Sequence, residues 1–165
     1  MAERLAIKDG WVQGTSIAGV PFVRHPIKLG TRRAYPGRKL RRYSGITVHD
    51  TGNTGVGTDA VAHVRWTQRI EDGTDTGHAA GAHFYVDDKR IIQLIPVTDV
   101  AWHAGDGGSG IGNNEYLAVE LCINRDRDKT RSEENLQILV ASLWATLGGQ
   151  LKKHQDFSGK SCPGT

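Results

Sequence analysis

The stretch Leu117-Ala118-Val119-Glu120-Leu121-Cys122-Ile123 restricts the fold more than any other part of the chain. It is almost continuously apolar, without the alternation of a strand that faces water on one side. It reads as a central strand covered on both faces, so other structure must pack against each of its sides. One carboxylate interrupts it. Burying Glu120 unpaired costs several kcal/mol or forces it to hold a proton, so a cation, an activated water or strong donors must lie beside it. A structural ion pair and a catalytic base both meet that demand. Cys122 points to the same face two residues on and reads as a small buried filler.

The remainder supplies layers for that strand. With 165 residues, 38% apolar and 24% charged, the chain suits one globular domain with a core that needs no staples, and no linker or repeat divides it. Leu136, Leu139, Val140, Leu143, Trp144 and Leu147 form the apolar stripe of a helix. Thr130-Arg131-Ser132-Glu133 has capping-box form before it and Gly148-Gly149 ends it. A second helix is expected from about Asp59 to Gln68, with Thr58 as N-cap and His63 as a packing residue. Residues 82–87 and 90–95 read as two strands joined by a turn at Asp87-Asp88-Lys89. Glu71 to Gly81 reads as a polar loop; His78 and His83 flank its end, but nothing nearby completes a metal site around them.

Residues 1–44 carry short apolar pieces among Gly and Pro, expected as short strands or an arm laid over residues 45–165. Arg32, Arg33, Arg38, Lys39, Arg41 and Arg42 crowd its end, and without interleaved aromatics a solvated basic loop is favoured over a nucleic-acid surface. The net charge of +3 favours an anionic polymer without naming one. Met1 to Asp9 lacks the apolar core of an export signal and no apolar run approaches about 18 residues. Synthesis in the cytosol is therefore expected, with no span in a membrane, and Cys122 and Cys162 are expected to be unpaired.

Metal-ligating residue types gather at the other end. His154-Gln155-Asp156-Phe157-Ser158-Gly159-Lys160-Ser161-Cys162 places an imidazole and a thiol eight residues apart across a Ser-Gly turn. Such a turn lets both face one point. The best third donor is His49, which closes the alternating run Ile46-Thr47-Val48-His49 at a strand end. His49, His154 and Cys162 would leave the fourth position of a tetrahedral zinc open, the pattern of a catalytic site. Trp102 and His103 then open a glycine-rich loop through Gly105 to Gly112, offering a flat wall and a polar tip to a ligand.

Four pieces occur here in a telling order: Thr47-Val48-His49-Asp50-Thr51-Gly52-Asn53, Ala101-Trp102-His103-Ala104-Gly105-Asp106-Gly107, Val119-Glu120-Leu121-Cys122 and His154 to Pro163. Over roughly residues 44–163 the chain resembles the zinc-dependent N-acetylmuramoyl-L-alanine amidases of the phage-lysozyme and peptidoglycan-recognition type. The resemblance implies an α/β fold with a central mixed β-sheet flanked by α-helices, and zinc in a surface groove that binds peptidoglycan. It implies hydrolysis of the amide between N-acetylmuramic acid and L-alanine. His49, His154 and Cys162 match the zinc ligands, Glu120 the general base and Lys160 an assisting lysine, while Asn53, Trp102 and His103 match groove positions. Some relatives carry a tyrosine before the histidine matching His83; here Ala82 stands there, which places the burden on Glu120. A monomeric phage or prophage endolysin catalytic domain is expected, without a wall-binding domain, acting on the wall after release. A peptidoglycan-binding module that does not cut is the alternative, and Cys162 speaks against it.

Overall fold

The computed structural model describes residues 2–164; Met1 and Thr165, the ends of the expected domain, lie outside the described residues. Strands β1 (Ile7–Lys8) and β2 (Trp11–Val12) form a small ribbon. They lead into β3 (Ser16–Ile17), β4 (Val20–Arg24), β5 (Gly45–Asp50), α1 (Ala60–Glu71), β6 (Phe84–Val86) and β7 (Ile91–Gln93). Then come α2 (Ile111–Glu115), β8 (Tyr116–Leu121), α3 (Lys129–Leu147), β9 (Gln150–Lys153) and α4 (Gln155–Ser158). Seven strands make one mixed sheet in the order β3-β4-β7-β6-β8-β5-β9. The neighbours β6, β8, β5 and β9 run parallel, β6 and β7 antiparallel.

The apolar run is β8, and it is interior, as its composition demands. One sheet face presents Ile46, Phe84, Val86, Leu117 and Val119 to Leu139 and Leu143 of α3. The other presents Tyr85, Ile92, Ala118 and Cys122 to Ala60 and Val64 of α1. Both cysteines are buried and free.

Several boundaries differ from those read in the sequence. The cap of α1 is Asp59, not Thr58: its carboxylate accepts the Ala62 N–H at 3.0 Å, a stronger bond than a hydroxyl offers. Likewise α3 starts at Lys129, one residue ahead of the capping box, because Asp128 accepts the Arg131 N–H. Trp144 is 54% exposed despite its place in the apolar stripe; its indole donates to Gly149 O over the helix end. The two middle strands are shorter than expected, and just past their ends the Leu94 N–H donates to His83 O. The link after α3 is itself a strand, β9, on the edge beside β5.

The amino-terminal segment enters the sheet: β4 pairs in parallel with β7. Its continuation is tied down by Glu71, which belongs to the last turn of α1 and not to a solvated loop. The Glu71 side chain is fully buried and accepts four backbone N–H groups, from Gly30, Arg32, Ala34 and Tyr35, at 2.7 to 3.1 Å. Burial pushes its carboxyl up, but the four donors more than offset this and hold it below the usual carboxylate range. Gly30 passes so close that a Cβ would sit 1.8 Å from Glu71 O.

Candidate active site

Sheet register builds the site. Neighbouring residues of parallel strands point to the same face, and the pairs His49 with Glu120 and Tyr85 with Glu120 set three polar side chains in one row across β5, β8 and β6. This row lies on the α1 face, and Tyr85 at one end of it also packs in the apolar cluster against α1.

Hydrogen bonds assign the proton on His49. His103 Nε2 lies 3.1 Å from Tyr116 O, and a carbonyl can only accept, so that nitrogen carries the His103 proton. His103 Nδ1 is then an acceptor, and His49 Nε2, 3.0 Å away, must donate to it. The lone pair of His49 is left on Nδ1, which faces Cys162 Sγ at 3.6 Å. His154, at the start of α4, stands edge-on to His49 with ring centroids 4.9 Å apart. One donor atom from each of His49, His154 and Cys162 lies within 4.8 Å of the other two.

The donor set fits a metal. Burial, then the neighbouring His154 and Lys160, lower His49 to about 3, and burial also lowers His154, so both imidazoles are neutral near pH 7, as ligands must be. Burial raises the Cys162 thiol, and a dication is what would draw its proton off. His49 has its second nitrogen fixed by His103 behind it, the arrangement that orients metal ligands. Two nitrogens and a thiolate suit zinc with a fourth position open.

Glu120 is raised to about 8 by burial and by Asp50, with Lys160 opposing. Its Oε2 has no hydrogen-bond partner, and Glu120 forms no ion pair, among the described residues. The structural ion pair considered from sequence is therefore not what holds it.

A groove of about 510 Å³ opens over this row, lined by Asn53, Glu120, His154, Lys160 and Cys162. Trp102 lines its continuation past His154. His103 departs from its expected place as a polar tip: it is 8% exposed with both ring nitrogens engaged, so it props His49 and gives the groove little more than an edge. His78 and His83 are not brought together. His83 is fully buried between Asp99 O and the Ala118 N–H, where it replaces ladder bonds, while His78 is exposed and bonded to Asp75. Tyr85 and Trp66, which the sequence did not mark as site residues, line the groove, and Arg32, read from the sequence as part of a solvated basic loop, lines its continuation. The alternation through Tyr85 toward the β8 carboxylate was the available signal for the first.

Residues 39–165 match the family described as N-acetylmuramoyl-L-alanine amidase. This chain belongs to that family. Among curated relatives, the N-acetylmuramoyl-L-alanine amidase XlyA of Bacillus subtilis (strain 168) is 40% identical over 121 residues, 72% of this chain and 38% of XlyA. CwlH, an amidase of the same name and organism, is 36% identical over 72% of this chain and 46% of its own length. The chain thus spans less than half of either relative. The catalytic domain of XlyA superposes with a TM-score of 0.76 at 35% identity, covering 87% of this chain and 90% of that domain. The amidase family is zinc-dependent in general, and the mixed sheet with flanking helices is the fold of its solved catalytic domains. No helix among the described residues is long and apolar enough to cross a membrane.

Proposed function

We propose that this amidase-family chain hydrolyses the amide joining the lactyl group of N-acetylmuramic acid to L-alanine in peptidoglycan, with zinc held by His49, His154 and Cys162. The observation that carries this reading is the row in which a partly buried carboxylate, Glu120, its buried Oε2 unpaired, stands in register beside His49 of a buried two-histidine, one-cysteine cluster.

Bound zinc supplies Lewis acidity toward the amide carbonyl and toward water. The chain's own residues handle protons and charge. Glu120, brought into its charged form by a cation nearby, takes a proton from the attacking water and passes it to the nitrogen of the departing alanine. Lys160 lies on both sections of the groove and offsets negative charge gathering on the carbonyl oxygen. His103 keeps the His49 ring from turning. Trp102 and Asn53 bound the groove where the polymer lies. The setting proposed is the catalytic part of an endolysin.

The test is a digest of purified peptidoglycan, with and without chelator, followed by mass analysis of what is released. Stem peptides beginning at L-alanine, lost on chelation and regained with zinc, are expected. Intact walls that retain the protein would refute hydrolysis and leave a recognition module.

A further inference from the structure

Past His154 and Lys160 the groove continues as a section of about 700 Å³. Its charges differ from those over the metal-ligand cluster. There Asp50 and Glu120 face the cavity, whereas in the continuation the charged side chains are Arg32, Arg33 and Lys160, with no carboxylate among the described lining residues.

Arg32 is built into this wall. It holds φ +62°, a left-handed backbone that side chains other than glycine avoid. Two bonds enforce it: the Arg32 N–H donates to Glu71 Oε2 at 3.1 Å, and the Trp102 indole donates to Arg32 O at 3.0 Å. The neighbouring cations are otherwise occupied. Lys39 pairs with Asp99, Arg41 and Arg42 pair with Glu115, and the Arg33 guanidinium donates to the carbonyls of Asp75 and Thr76. Arg32 is exposed, and among the described residues its side chain has no acidic partner. It also lies outside residues 39–165, the segment that matches the family.

Peptidoglycan says which part of itself such a wall would meet. Its sugars are N-acetylated and the lactyl carboxyl is consumed in the amide, so the glycan is neutral. Free carboxylates belong to the stem peptide. We infer that Arg32 is a specificity-determining residue whose guanidinium receives a stem-peptide carboxylate, so that the chain prefers stems with free carboxylates over amidated ones. This rests on the amidase reading. A planar guanidinium suits the role, because it can meet a carboxylate through two parallel N–H bonds.

The test is calorimetric binding of two synthetic tetrapeptides beginning at L-alanine, one with its side carboxylates free and one with them amidated, to the zinc-loaded protein. Wild type should bind the free form about tenfold more tightly, the difference of one charge-assisted contact. Arg32→Gln should lose the preference and Arg32→Lys should keep part of it. Arg32→Gly should lose the preference without lowering the thermal midpoint, since glycine accepts the positive φ. Equal affinity of wild type for the two peptides, failure to bind either at millimolar concentration, or a preference that survives in Arg32→Gln would overturn the inference. So would capture of a wall phosphodiester polymer by Arg32 with no peptide preference. Peptide binding needs no turnover, so failure of the wall digest would strike the amidase reading while the titration still judged Arg32.

Discussion

Glu71→Gln puts the anchoring of the amino-terminal segment to a quantitative test. The carboxylate accepts two N–H groups on each oxygen, Gly30 and Arg32 on Oε2 and Ala34 and Tyr35 on Oε1. An amide of the same shape keeps one accepting oxygen and turns an NH₂ toward the other two donors. Two hydrogen bonds to a charged group are lost, at about 1.5–3 kcal/mol each, or roughly 3–6 kcal/mol together. The lower end is the better expectation, because three of the four bonds are only partly buried. Against a total stability of about 5–15 kcal/mol this is a large fraction. Equilibrium urea unfolding followed by tryptophan fluorescence measures it: for a slope of about 2 kcal/mol/M the midpoint should fall by roughly 1.5 M or more. A fall of less than about 0.5 M at unchanged slope would refute the reasoning, showing that residues 30–35 keep their course without the anion.

Acid adds an independent check on the same group. The folded Glu71 carboxyl lies below its unfolded value, so its contribution is complete above the unfolded value of about 4.3 and disappears as pH falls through the folded one. The stability gap between wild type and Glu71→Gln should therefore narrow below about pH 4, and a gap independent of pH would contradict the assignment. In the site, Glu120→Gln should retain zinc by metal analysis yet lose about 10²–10⁴-fold in turnover; near wild-type release of stem peptides would remove Glu120 from the proton path. Cys162→Ser should instead lose the metal, and full zinc occupancy in that variant would mean another residue supplies the third donor. His103→Ala should weaken zinc affinity about 10–100-fold, as loss of a ligand's hydrogen-bond partner does. Unchanged affinity would show that the His49 ring needs no prop.

Some of this was legible in the chain and some was not, for physical reasons. Continuous apolar residues around Glu120 named the interior strand, and alternation at Ile46 to His49 gave the face on which His49 stands, because burial on both sides and on one side leave different patterns. The three metal-ligand candidates could be named because few residue types bind zinc. Strands β1 to β3 could not be delimited, since pieces as short as two residues carry no period. Glu71 looked like the edge of a solvated loop; its four donors come from residues about 40 positions earlier in the chain. His103 and Trp102 were placed near the groove by residue type. That one turns inward to His49 and the other pins Arg32 depends on which atoms their neighbours present, and no spacing encodes that.

The route of the chain through the metal-ligand cluster has a mechanical consequence. His49 sits on an interior strand, whereas His154 and Cys162 follow the edge strand β9, and Cys162 is 113 residues away from His49 along the sequence. An ion shared by all three would fasten the tail to the middle of the sheet and close a long loop, so the hydrolytic centre would also act as a clasp. Chelation would then loosen the carboxyl-terminal segment first, leaving the α3-packed core intact beneath it, and resistance to proteolysis near Phe157 to Pro163 would report metal occupancy without any cell wall present.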